Sequence, residues 1–130
     1  MRIAVICLII CVIPVFFRLC AAAESGFAEA AKDRAVDALL GRFEGEGGPA
    51  LLRSYDTDDI YIKEAAYTYD NALAAMAFLS EGRADAAARI LDGFACAVEH
   101  DRYQPDRIRN AYVCGPASPE NGISLPGWWD

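Results

Sequence analysis

A chain of 130 residues, 55% of them hydrophobic, holds one domain and is too short for the core of most large catalytic architectures. With 19 acidic residues against 12 basic ones its net charge is −7, which argues against nucleic acid or an anionic membrane surface as a partner, because both need a basic footprint. A neutral or cationic ligand fits better.

The N-terminal segment reads as a targeting signal. Met1 and Arg2 give a positive start, Ile3 to Phe17 is apolar apart from Pro14, and Ala21-Ala22-Ala23 offers a small-residue cleavage site before Glu24. Residues 1–23 are therefore expected to be a signal peptide and residues 24–130 the folded domain, exported to a periplasm or the extracellular space. Arg18 sits awkwardly in such a signal and keeps an uncleaved N-terminal anchor open; that anchor is the sole membrane association the sequence offers. Cleavage would leave 107 residues, with 10 basic against 19 acidic ones and a net charge of −9. It would also remove Cys7, Cys11 and Cys20. Cys96 and Cys114 then remain, as one disulfide or as two separate thiols.

Ser25 can cap a helix from about Phe27 to Phe43, where Ala28, Ala35, Val36, Leu39, Leu40 and Phe43 recur at helical spacing. Glu44-Gly45-Glu46-Gly47-Gly48-Pro49 ends it in a loop. Ala50 to Tyr55 and Ile60 to Ile62 read as short extended pieces around the acidic turn Asp56-Thr57-Asp58-Asp59. A second helix is predicted over about Tyr67 to Ser80, stopped by Gly82. A third covers about Ala84 to Glu99, with Ala87, Ile90, Leu91, Phe94 and Val98 on one face and Cys96 opposite. The short link makes these two an antiparallel hairpin. Beyond Asp101, turn residues alternate with short extended runs up to Leu125-Pro126-Gly127-Trp128-Trp129-Asp130, which reads as a long functional loop.

Several kinds of site are missing. There is one histidine, His100, and no Cys/His set at metal spacing, no HExxH, no Gly-x-Ser-x-Gly and no phosphate-cradling loop, so neither metal nor cofactor is expected. His100 beside Asp101 reads as a helix-end residue. The acidic turn lacks the glycine and terminal glutamate of an EF-hand and reads as solvated. Tyr67-Thr68-Tyr69-Asp70-Asn71 carries more: a carboxylate at a helix N-terminus stays ionised, as a simple cap or as a functional acid. Arg107-Ile108-Arg109-Asn110-Ala111-Tyr112 alternates, which puts Arg107 and Arg109 on one side of an extended run, able to pair with carboxylates or bind sugar hydroxyls. Trp128 and Trp129 can stack on sugar rings or fill a core.

The run Tyr69-Asp70-Asn71-Ala72-Leu73-Ala74-Ala75-Met76-Ala77-Phe78-Leu79, Gly82, and Ala87-Ala88-Arg89-Ile90-Leu91-Asp92 resembles the helix hairpin of bacterial six-hairpin glycosidase-like proteins, the (α/α)6 toroids. Arg109-Asn110-Ala111-Tyr112 and Leu125-Pro126-Gly127-Trp128-Trp129-Asp130 resemble segments that follow it. The resemblance covers about residues 50–130. It implies an all-α fold, a partial (α/α)6 toroid of helical hairpins with long connecting loops, acting on or binding an oligo- or polysaccharide. By that resemblance Asp70 is the catalytic acid or base, Tyr69, Asn71, Arg109, Tyr112 and Trp128 contact substrate, and no motif assigns the second carboxylate that hydrolysis needs, leaving Asp59 and Asp130 as guesses. One hairpin and a leading helix are too little for a ring of six, so the chain is expected to be an N-terminal fragment, with inner faces left bare. The alternative is a helical-repeat peptide- or protein-binding module without catalysis, although no second copy appears at a period of about 34 residues.

Overall fold

The computed structural model describes residues 26–45, 47–101, 104 and 107–118. The chain divides between Ala35 and Val36 into two units. In the first, residues 26–35 are helical and exposed or half-buried, and Lys32 pairs with Glu29 one turn away at 2.6 Å. The expected signal peptide lies outside the described residues.

The second unit opens with the end of that helix (α1, residues 26–40), from which Val36, Leu39 and Leu40 reach the core. Strand β1 (Ala50–Leu51) follows the glycine-rich loop, then come β2 (Ala65–Tyr67), α2 (Thr68–Ser80), α3 (Ala84–His100), β3 (Ala111–Val113) and β4 (Gly115–Pro116). Strand β1 pairs antiparallel with β4, Ala50 opposite Pro116 and Leu51 opposite Gly115. Strand β2 pairs antiparallel with β3, Ala65 opposite Val113, Ala66 opposite Tyr112 and Tyr67 opposite Ala111.

The expected all-α toroid is therefore corrected. Three helices make up about half of the described residues, and with two small antiparallel sheets the fold is mixed α/β. The reason is visible in what the α2–α3 hairpin packs against. A toroid would lay a second hairpin on it, whereas here β1 lies on α3. Gly93 makes that approach possible: a Cβ there would stand 3.0 Å from the carbonyl oxygen of Ala50.

The hairpin itself follows local rules. Gly82 sits at φ +68°, its N–H donates to Leu79 O at 3.2 Å, and the Arg83 N–H donates to Phe78 O at 2.8 Å, which is a Schellman stop. At the other end of α2, Thr68 N–H donates to the carbonyl of Asn110 at 2.9 Å, so a helix-terminal donor is satisfied by the approach to β3. Phe43 stacks on Phe78 with centroids 6.0 Å apart, and Phe78, Ile90 and Tyr112 are the large apolar or aromatic side chains that lie wholly inside. Arg89 holds the glycine-rich loop over this core. Its guanidinium lies 4.0 Å above the Phe43 ring and donates to the carbonyls of Gly48, Gly45 and Gly47 at 3.0–3.3 Å.

Three further expectations shift. Ile60 to Ile62 is a turn, because Asp59 accepts the Tyr61 N–H through Oδ1 at 2.9 Å and the Ile62 and Lys63 N–H groups through its carbonyl. On α3, Ala87, Ile90 and Phe94 of the predicted face are buried, but Cys96 is buried too and Leu91 is 52% exposed, since β1 packs against Gly93. Cys96 and Cys114 are both free thiols. Among the described residues no helix is long and apolar enough to cross a membrane.

Candidate functional site

Asp70 stands in the first turn of α2, where the helix dipole favours a negative charge. It does not act as a cap: Tyr67 holds the N-cap position, and no side chain caps it. The carboxylate is exposed and makes no hydrogen bond or ion pair with a described residue. It lines a hollow of about 90 Å³ together with Leu39, Arg42, Leu52, Arg53 and Ser54. Arg42 and Arg53 also line a neighbouring hollow of about 300 Å³, whose other walls are Phe43, Glu44, Tyr55 and Asp56.

The two arginines differ in what they have left to give. Arg53 is paired with Glu44 at 2.7 Å, whereas Arg42 commits one N–H to the Arg53 carbonyl at 3.2 Å. A guanidinium carries five donors, so Arg42 keeps several for a ligand. The Tyr55 ring is 45% exposed and stands at 80° to the Tyr67 ring, centroids 5.8 Å apart, a contact that holds it in place. Cys114 lies 3.9 Å from Glu44, and burial pushes its thiol up more strongly than Arg53 pulls it down. It is a protonated thiol at neutral pH and a poor nucleophile.

Compared with protein-family models, curated proteins and solved structures, the chain matches none. Its chemistry rests on its own geometry.

The other residues singled out in the sequence are dispersed. Asn71 is 1% exposed, with both amide protons and an oxygen lone pair committed: Oδ1 accepts the Leu52 N–H at 2.7 Å, and Nδ2 donates to Leu52 O at 2.9 Å and Tyr67 O at 3.1 Å. Arg109 is half-buried and forks onto both oxygens of the buried Asp101, which also accepts the Gln104 N–H at 3.0 Å. Tyr112 is buried, its hydroxyl accepts the Arg109 N–H at 2.8 Å, and burial raises its phenol above the ordinary range. The Thr68 hydroxyl donates to the Arg109 carbonyl, so this second polar cluster ties the β3 approach to α2. Tyr69 is 71% exposed and lines neither hollow. Asp59 serves its turn, His100 is an exposed helix-end residue whose Nδ1 donates to the Cys96 carbonyl at 2.9 Å, and Trp128 and Asp130 lie outside the described residues. No acidic, histidine or cysteine cluster among the described residues could hold a metal ion.

Sequence reasoning missed Arg42, Arg53 and Tyr55. A signal was present for two of them: Arg53 and Tyr55 are two apart in an extended run, and that spacing places them on one side of it.

Proposed function

We propose that this chain is an exported binding domain for an oligo- or polysaccharide, without hydrolytic activity of its own. The observation that carries this reading is Asp70, an exposed carboxylate with no described partner, sharing its rim with Arg42 and Arg53, which also line the neighbouring hollow that holds the part-exposed Tyr55 ring. A carboxylate and a guanidinium accept from and donate to vicinal hydroxyls, and a tyrosine face takes the C–H face of a pyranose.

Hydrolysis fits less well. A glycosidase places two carboxyl groups on either side of an enclosed glycosidic bond. The hollow beside Asp70, about 90 Å³, is far below the roughly 300 Å³ at which small-molecule sites begin. A sugar there lies across the rim, and water is not excluded. The adjoining hollow, about 300 Å³, has room for one ring beside Tyr55.

The test is a glycan array probed with the full chain, followed by titration calorimetry on the glycans retained. Asp70→Ala and Tyr55→Ala are each expected to weaken binding about tenfold, the effect of losing one charge-assisted hydrogen bond or one stacking face. No bound glycan on the array, or affinity untouched by both substitutions, overturns the proposal. Release of reducing sugar by the wild-type chain overturns its non-catalytic part. A second reading, a protein-binding module, is favoured by a different surface: Tyr69, Met76 and Leu79 on α2 are each more than half exposed.

A further inference from the structure

Apart from the exposed Asp70 in its first turn, helix α2 carries no charge. Asn71, Ala74, Ala75 and Phe78 face the core, and the opposite side carries Tyr69, Ala72, Leu73, Met76, Leu79 and Ser80 with no charge among them. Tyr69, Leu73, Met76 and Leu79 are 71%, 46%, 65% and 55% exposed. A surface helix normally shows water a polar face, so a second apolar side calls for a partner.

The order of residues says which partner. Taking Met76 as centre, Leu73 and Leu79 stand three positions either side and the small residues Ala72 and Ser80 four, all within α2. These offsets are the spacings that bring side chains onto one helical face. Leucine matches leucine and small matches small; Tyr69 extends the stripe by two turns, and the exposed Arg83 stands past the left-handed Gly82, off the helix. An interface between two identical copies related by a two-fold axis has to be complementary to itself, with each residue meeting its mirror position. This stripe meets that condition for an antiparallel pair. An unrelated partner would impose no such symmetry.

We propose that α2 is the contact through which two copies of this chain associate, antiparallel, about a two-fold axis at Met76. Ala72 and Ser80 let the helices approach closely, and Leu73 of each copy packs on Leu79 of the other. Antiparallel alignment also sets each helix's positive end beside the other's negative end. The exposed parts of the four large side chains come to about 500 Å² per copy, so the pair buries roughly 1,000 Å², at the lower edge of specific interfaces. An interface of that size belongs with weak, transient associations, so the dimer is expected to form at micromolar or higher concentration.

Sedimentation equilibrium of the full chain from about 5 to 500 μM tests this, with a fitted monomer–dimer equilibrium expected. Met76→Glu is expected to leave a monomer throughout that range, with the circular dichroism spectrum and urea midpoint of the wild type, because Met76 contributes nothing to the core. Geometry has its own readout: Met76→Cys should be joined to its twin by a short bis-maleimide far faster than Leu91→Cys, a position on α3 that is also more than half exposed, with rates scaled to each thiol's reaction with a mono-maleimide and the wild-type chain correcting for its native thiols. A wild type that stays monomeric at 500 μM, or cross-linking no faster at position 76 than at 91, overturns the proposal. So does a monomer in which Tyr69 is protected from solvent, which would assign the stripe to a segment of the same chain.

Discussion

At the residue scale, the arrangement around Asn71 and that around Arg109 show one physical device. Each is a polar side chain that supplies what two short sheets cannot. Strand β1 ends at Leu51, and the next residue has its N–H and C=O turned to a side-chain amide that copies the pattern of a neighbouring strand. Removing that amide leaves the Leu52 N–H and carbonyl buried without the partners that hold them, and takes one of the bonds from the Tyr67 carbonyl at the helix start. Asn71→Ala is therefore expected to cost about 2–4 kcal/mol in a urea unfolding curve. Asn71→Asp should cost no less, since it faces two carbonyl oxygens with a third oxygen. A loss below about 0.5 kcal/mol for the alanine variant would show that Leu52 finds other partners. The sequence placed Asn71 and Asp70 side by side at a helix start, and that much was legible. Which of the two turns inward depends on the Leu52 backbone, nineteen positions away, and no local pattern reports it. Arg109 is similar: its alternation with Arg107 suggested pairing with a carboxylate, but the partner is Asp101 from the end of α3.

At the scale of elements, the helices were readable and the strands were not. Apolar periodicity and the Gly82 stop placed α2 and α3 within a residue of their observed ends, because both signals are local. The strands are two or three residues long, and Ala50 pairs with Pro116, Ala66 with Tyr112. At that length alternation has no statistical content, and register comes wholly from partners far along the chain. The same long-range contact widens the buried face of α3 to take in Gly93. Gly93 thus carries a specific demand. Gly93→Ala gains about 1 kcal/mol of helix propensity, but its methyl group meets backbone atoms of Ala50 at 3.0–3.1 Å and the Leu51 side chain at 3.1 Å. Backbone cannot step aside as a side-chain end can, so overpacking should win and the variant should be less stable by about 1–2 kcal/mol in urea. Greater stability in that variant would mean that β1 does not rest on α3.

At the scale of the molecule, the core is made of small residues and closely approaching backbones. Among the described residues, nine of the seventeen buried hydrophobic ones are alanine, so apolar burial is modest there and the few larger groups inside weigh heavily. Three of those groups ionise at alkaline pH. Burial raises the Cys96 and Cys114 thiols above 9.0 and the Tyr112 phenol above 10.0, in each case as the leading cause. The direction of linkage follows. In the unfolded chain these groups lose their protons first, so above about pH 8 the unfolded state binds fewer protons than the folded one and stability falls as pH rises. Below about pH 7.5 all three are neutral in both states, and their contribution is constant. The urea midpoint is therefore expected to be unaffected by these groups between about pH 6 and 7.5 and to decline from about pH 8 to 11. Replacing both thiols, Cys96→Ala with Cys114→Ala, should move the start of the decline toward pH 10, where Tyr112 alone remains. A midpoint that rises between pH 9 and 11, or a decline unmoved by the double substitution, would show that the thiols do not ionise on unfolding in the way their burial requires.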